Sequence, residues 1–163
     1  MSEINLNEVL TKAILIATKL HDGQVDKAGQ PYILHPLRVM TNIESIEGKI
    51  VGVLHDTIED CDITYDKLIK EGIPEYLVEK LPLLTKNKKE KYFDYILRAK
   101  SDKITREVKD ADLDDNLDLS RIYPQIDKSK MHDIEYLKTL DYLNEKDIKR
   151  VEKYLKAKDM LNQ

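Results

Sequence analysis

The sequence predicts an all-α fold in one domain, and three observations carry that expectation. Apolar residues recur at steps of three and four along most of the 163 residues, the spacing that lines one face of a helix. Only five glycines and five prolines occur, while Leu, Ile, Lys, Glu and Asp dominate, a composition that leans helical. No internal repeat, low-complexity run or linker divides the chain. Its length is that of about one domain, enough to bury roughly two-thirds of the surface of the unfolded chain.

The elements follow in order. Asn5 or Asn7 can cap a first helix carried by Leu6, Val9, Leu10, Ala13, Ile14, Ala17 and Leu20 and running to about His21, where Gly23 breaks it. Residues 22 to 34 read as a loop punctuated by Gly29 and Pro31. Pro36 suits the first turn of a second helix carried by Leu37, Val39, Met40 and Ile43. Glu47 to Asp60 reads as one third helix. Its middle, Ile50-Val51-Gly52-Val53-Leu54, is apolar all round, so a buried helix is expected, with a short strand as the alternative. Gly52 costs up to about 1 kcal/mol against Ala in a helix, a cost that close approach of a neighbouring helix would explain.

Thr64 caps a short helix to about Glu71, ended by Gly72; Pro74 starts another to about Leu84, with Pro82 arguing for a break. A basic turn over Lys86 to Lys91 precedes a helical stretch from Tyr92 to Ala99. Ile104 to about Leu119 is helical, and Pro124 closes it. Asp133 to Met160 reads as two helices parted near Asn144. The expected core spans about 5–122 and the C-terminal helices about 133–160.

Charge and composition narrow the function. The 27 basic and 31 acidic residues give a net charge of -4, which argues against gripping a nucleic acid backbone by bulk charge. No apolar run approaches the ~20 residues of a membrane helix, and the N-terminus lacks the basic-then-apolar pattern of a secretory signal. Cys61, the single cysteine, can form no intrachain disulfide and fits a reducing compartment. A cytoplasmic protein with a small-molecule partner is expected. The C-terminal helices leave a homo-oligomer open.

Polar groups interrupt this helical text in a particular order. His35 stands at the start of the second helix. His55 and Asp56 end the apolar helix, followed by Glu59 and Asp60. Asp112, Asp115 and Asn116 share a face of a later helix. If the helices carrying His55-Asp56 and Asp112 pack side by side, His55, Asp56 and Asp112 can converge, with His35 arriving from the loop. Two imidazoles and two carboxylates make a site of mixed nitrogen and oxygen ligands. That set suits Mn²⁺, Fe²⁺ or Co²⁺, with Zn²⁺ as an alternative. An octahedral ion would keep two positions for water and substrate, and could activate water against a phosphoryl group. Glu59 and Asp60 stand beside it to orient that water or move protons. Taken singly, each piece has a blander reading. A His-Asp pair is common, Asp112 to Asp118 resembles a solvated acidic face, and His21 and His132 read as structural. The order of the set is what lifts it.

That order resembles the HD-domain phosphohydrolases, within the branch of the RelA/SpoT-type alarmone hydrolases and their small stand-alone relatives. The matching text is HDGQVDKAGQPYILHPLRV (21–39), VLHDTIED (53–60), LTK (84–86) and VKDADLDDN (108–116). The resemblance implies metal ligands at His35, His55, Asp56 and Asp112, with manganese the usual ion. It places Glu59 and Asp60 at the acidic pair that handles the nucleophilic water. Asn116 falls at an active-site asparagine and Lys27 in the nucleotide pocket. The implied reaction removes pyrophosphate from the 3′ position of guanosine tetra- or pentaphosphate. Arg38, Lys86, Arg98 and Lys109 are further candidates for phosphate contact. The text of a synthetase half is missing, so pyrophosphokinase activity is not expected.

Two departures stand out. Asp26 occupies a position where the alarmone hydrolases usually carry an Arg that packs on guanine, and an acid cannot supply that cation–π contact. Leu113-Asp114-Asp115-Asn116 replaces a common Arg-Leu-His-Asn. The expected function is therefore a metal-dependent hydrolase of a small phosphorylated metabolite, a nucleotide, with the alarmone itself one candidate among several. The alternative is an HD-fold module that binds a nucleotide without turnover, and an HD-type nuclease is disfavoured by the acidic charge.

Overall fold

The computed structural model describes residues 3–163. Among them, α1 spans Leu6–Leu20, α2 Leu34–Thr41, α3 Ile46–Leu54, α4 Thr57–Asp60, α5 Tyr65–Lys70, α6 Glu75–Val78, α7 Leu81–Leu84, α8 Tyr92–Lys100 and α9 Lys103–Leu117. A 3-10 turn at Leu119–Arg121 precedes α10 (Ile134–Lys138) and α11 (Glu145–Asn162). The described residues contain no strand, only an isolated antiparallel bridge between Val25 and Pro31. No described helix is long and apolar enough to cross a membrane.

The centre is α3. Ile50, Val51, Val53 and Leu54 are all buried, and α1, α2 and α9 pack around them. This settles the strand-or-helix ambiguity of that apolar run in favour of helix. A helix apolar on every side needs neighbours on every side. Gly52 lets α2 approach: a Cβ there would stand 2.8 Å from Ile43 Cδ1. Ser45 caps α3 by accepting the Gly48 N–H.

One expected element divides in two. The helix read as continuous over 47–60 stops at Leu54 and restarts at Thr57. Neither Gly nor Pro marks this break. Side chains make it: His55 Nδ1 bonds the Gly52 carbonyl at 2.6 Å, and the Thr57 hydroxyl donates to the Leu54 carbonyl at 2.7 Å. Those carbonyls lose their regular helical partners, and the chain tightens through His55 and Asp56. The stretch 74–84 also divides, with Pro82 in the first turn of α7, where its missing N–H costs nothing.

The C-terminal third closes over this core. Ala157 and Leu161 of α11 are buried with Tyr95, Ile96 and Leu113 of α8 and α9. Leu117, Leu119, Leu137 and Val151 form a second apolar cluster. The break expected near Asn144 is there, and Asn144 caps α11 through the Asp147 N–H.

Helix α9 begins at Asp102, whose carboxylate accepts the N–H groups of Ile104 and Thr105 and pairs with Lys80 at 2.6 Å. Partial burial pushes this carboxyl up, but Lys80 and the two N–H groups outweigh it, and the net pKa is lowered. Its stabilisation is thus present above the ordinary carboxylate range and is lost as pH falls through the lowered value. Asp102→Ala is expected to cost about 1–2 kcal/mol near neutrality. Urea titrations at neutral pH and at about pH 3 should show the gap from the parent protein narrowing in acid.

Candidate metal centre

Three separate stretches deliver the central side chains. The loop over 22–33 folds back through Gly29, at φ 76°, and leads directly into α2. His35 is the second residue of α2, and its ring is buried. His55 and Asp56 occupy the break between α3 and α4, so both turn toward one point instead of lying on diverging faces of a straight helix. Asp112 comes from the buried side of α9.

These groups meet. His35 Nε2 lies 3.4 Å from Asp56 Oδ2 and 3.2 Å from Asp112 Oδ1. His55 Nε2 lies 3.1 Å and 3.6 Å from the same two oxygens. His35, His55 and Asp56 each offer a ligand atom within 4.8 Å of the others. Adjacent ligands about 2.1 Å from an octahedral ion stand about 3.0 Å apart, so these separations match the edges of a coordination shell.

The outer nitrogens and oxygens fix the inner ones. His55 Nδ1 donates to the Gly52 carbonyl, and His35 Nδ1 donates to Asp115 Oδ2 at 2.6 Å. With Nδ1 engaged, each ring turns Nε2 to the shared point, the arrangement metal-binding imidazoles adopt. His55 Nε2 is buried and has no hydrogen-bond partner, although carboxylate oxygens stand nearby. A buried ring nitrogen without a partner is costly, and a cation would satisfy it. On the acidic side, Tyr32 donates to Asp56 Oδ2 at 2.7 Å. Lys109 holds Asp112 Oδ2 at 2.7 Å, and Asn116 holds Asp112 Oδ1 at 2.8 Å.

The electrostatics point the same way. Burial alone would lower both imidazoles. Hydrogen bonds to Asp112, Asp115 and Asp56 instead raise His35 to about 11, and the Asp56 charge leads in raising His55 to about 10. Asp56 and Asp112 are lowered despite burial, chiefly by His55 and Lys109 respectively. Buried carboxylates thus draw positive charge onto both rings, and a divalent cation would supply that charge in place of the Nε2 protons. The donor set, the orientation of its rings and its spacing all fit one.

Glu59 and Asp60 sit on α4, just past Asp56, at the solvent edge of the cluster. Partial desolvation raises both carboxyls, with Asp60 and Asp56 adding to the effect at Glu59, and Asp56 at Asp60. Beside the cluster lies a cavity of about 250 Å³ lined in part by Lys27, His35, Asn116, Arg121, Arg150 and Tyr154. Lys27 is pushed down by partial burial and by Arg150, a mark of crowded cations. A larger groove of about 500 Å³ by Ser45, Arg106 and Asn162 contains none of the cluster.

Three other expected phosphate contacts, Arg38, Lys109 and Arg98, are engaged by groups of the protein itself. Arg38 grips Asp115 with two donors, at 2.6 and 3.1 Å. Lys109 is buried against Asp112 and the Tyr95 ring. Arg98 spends its donors on Glu90 and on the carbonyls of Pro82 and Thr85. Lys86 is tied only to the neighbouring Asn87 carbonyl. His21 bonds Gln24 in the loop, and His132 bonds the Leu117 carbonyl.

Sequence reasoning missed three contributors: Tyr32, Asp115 and Arg121. Asp115 shares the face of Asp112 at helical spacing, which was visible. That it turns to His35, eighty residues away in sequence, was not. Its carboxyl is lowered to about 2, against burial, by His35, Arg38 and Arg121. Asp115→Asn keeps the shape but removes the charge that fixes the His35 tautomer. It should weaken Mn²⁺ binding about 10- to 100-fold by isothermal titration.

Comparison with known proteins bears on kinship and fold. No family model matches the chain. A guanosine-3′,5′-bis(diphosphate) 3′-pyrophosphohydrolase of Aquifex aeolicus is 38% identical over 89 residues, covering 52% of this chain and 13% of that protein. The bifunctional (p)ppGpp synthase/hydrolase SpoT of Escherichia coli is 36% identical over 86 residues, covering 48% of this chain and 12% of that protein. The matches thus span only about an eighth of these relatives' length. A solved structure described as a metazoan ortholog of SpoT that hydrolyses ppGpp aligns with a TM-score of 0.67 at 19% identity, over 99% of this chain and 88% of that one. The relatives bear out the RelA/SpoT-type resemblance carried by the motifs. The structure bears out the all-helical HD-type fold.

Proposed function

We propose, from this kinship and from the cluster, that the protein is a metal-dependent phosphohydrolase of a small phosphorylated nucleotide. The first substrate to test is guanosine-3′,5′-bis(diphosphate), with loss of pyrophosphate from the 3′ position. The observation that carries the reading is the meeting of His35 Nε2, His55 Nε2, Asp56 Oδ2 and Asp112 Oδ1, with Nδ1 of both rings tied to groups outside the cluster. These four residues would hold one divalent ion, Mn²⁺ first and Fe²⁺, Co²⁺ or Zn²⁺ as alternatives. When bound, the ion supplies Lewis acidity to a phosphoryl oxygen and acidifies water.

The chain's own groups do the rest. Tyr32, Lys109 and Asn116 hold the two acidic ligands in place. Glu59, with Asp60 beside it, accepts a proton from the attacking water. Lys27 and Arg150 face the anionic substrate from the cavity wall. Residues 1–163 act as one domain. Its core, about 5–122, carries the cluster, and α11 closes the cavity with Arg150 and Tyr154. The free Cys61 suits a reducing cytoplasm.

The test is direct. Protein as purified is analysed for metal, then incubated with Mn²⁺ and guanosine-3′,5′-bis(diphosphate), other nucleotides and a generic phosphodiester. Guanosine 5′-diphosphate and pyrophosphate are the expected products of the first. Metal-loaded protein that turns over none of these substrates overturns the reading.

A further inference from the structure

Asp26 lines the cavity beside the cluster, where an acid should repel an anionic substrate. Its carboxylate is committed elsewhere. Oδ1 accepts the backbone N–H groups of Ala28 and Gln30, both at 2.9 Å, which shapes the loop over Gly29. Oδ2 lies 3.5 Å from Arg121 Nη1. Arg121 comes from the 3-10 turn after α9 and is gripped on its other side by Asp115. Its Nη2 donates to the Asp115 carbonyl at 3.1 Å and stands 3.5 Å from Oδ2. With Arg38 also on Asp115, two acids and two guanidinium groups balance.

Nη2 makes the one hydrogen bond of this guanidinium among the described residues, so donors are left over, and the partly exposed Nη1 edge is the one a ligand could reach. Arg121 Nε is buried and bonds to nothing. The same side chain lines the cavity with Lys27 and Arg150, so the wall carries three cations to the single acid at Asp26. A guanidinium presents its donors in a rigid fork that matches phosphate oxygens. Fixing that fork in advance, from two sides, lowers the entropy lost when a ligand arrives.

We infer that Arg121, positioned by Asp26 and Asp115, receives an anionic group of the substrate distinct from the one at the cluster, a phosphate or diphosphate carried elsewhere on the same molecule. Arg121 thereby ranks substrates by that second group. Asp26 acts as a positioning residue: its charge aims the guanidinium and does not confront the ligand. The inference rests on the substrate side of the proposed function, but its test needs no turnover.

The test compares two probes on Mn²⁺-loaded protein by isothermal titration: guanosine 5′-diphosphate and uncharged guanosine. The parent protein should prefer the diphosphate by at least about tenfold. Titrated at saturating Mn²⁺, Arg121→Gln should collapse that preference while far-ultraviolet circular dichroism holds. Arg121→Lys, which keeps charge but loses the fork, should recover part of it, and Asp26→Asn should lose part. If Arg121→Gln does not fold, the Lys and Asn variants carry the same comparison. A preference unchanged in the Arg121 variants, or equal weakening of both probes, overturns the inference. So does a parent protein that shows no preference, even if it hydrolyses phosphoesters. An Arg121-dependent preference in a protein that hydrolyses nothing keeps the inference and removes the hydrolase reading.

Discussion

His55→Ala is expected to abolish turnover, by at least about a thousandfold, and to abolish the rise in melting temperature that Mn²⁺ gives the parent protein. The ring lies at the break between α3 and α4 with Nδ1 tied to Gly52 and a buried Nε2 that no protein group satisfies. Removing it deletes a donor from the cluster and frees the break it helps to form. Asp112→Asn should lose as much activity by a different route. It keeps shape but removes the charge opposite both imidazoles, and it strips buried Lys109 of its anion. A buried charge left unpaired costs about 3–5 kcal/mol, so this variant should also melt earlier. Parent protein stripped by a chelator should lose activity and regain it with Mn²⁺, and neither variant should regain it. Turnover within tenfold of the parent in His55→Ala would remove the metal mechanism.

The reach of the sequence into this site has a physical limit that particular residues show. His35, His55, Asp56 and Asp112 were legible because polar groups interrupt apolar helical text, where a plain core helix would not carry them. The helices were legible for the same reason, from periodicity and from caps such as Asn5 and Thr64 acting on the first turns they precede. The break at His55 was not legible. It arises from a side chain bonding a carbonyl three residues back, an option open to many histidines.

Charge roles were harder still. Asp115, Arg38, Arg121 and Asp26 form one connected set drawn from four segments. Sequence gives each a charge and no partner. Read alone, Asp26 looked hostile to an anion and Arg38 looked free to bind one; the pairing at Asp115 and Arg121 reverses both impressions. Local pattern reaches interactions within a helical turn, while ion pairs across segments depend on packing that only the fold supplies.

Glu59→Gln is the second large effect, and it separates proton transfer from ion binding. Glu59 makes no hydrogen bond within the protein among the described residues, although it stands at the edge of the cluster, and its carboxyl is raised by partial desolvation and by Asp60 and Asp56. An acceptor of raised basicity with nothing to accept suits a general base for water. The amide keeps the volume and loses the basic lone pair, so turnover should fall by about 10² to 10⁴. Mn²⁺ affinity should hold, and stability should stay level or rise slightly, since one of three crowded carboxylates has gone. The pH profile gives the sign. A base works when deprotonated, so the parent rate should climb with pH through a value above that of an ordinary glutamate, and Glu59→Gln should lose that limb. Asp60→Asn should cost less, because it removes a neighbour that only raises Glu59. If Asp60→Asn loses a hundredfold while Glu59→Gln stays within threefold, the base is Asp60, and α4 presents its other carboxylate to the reacting water.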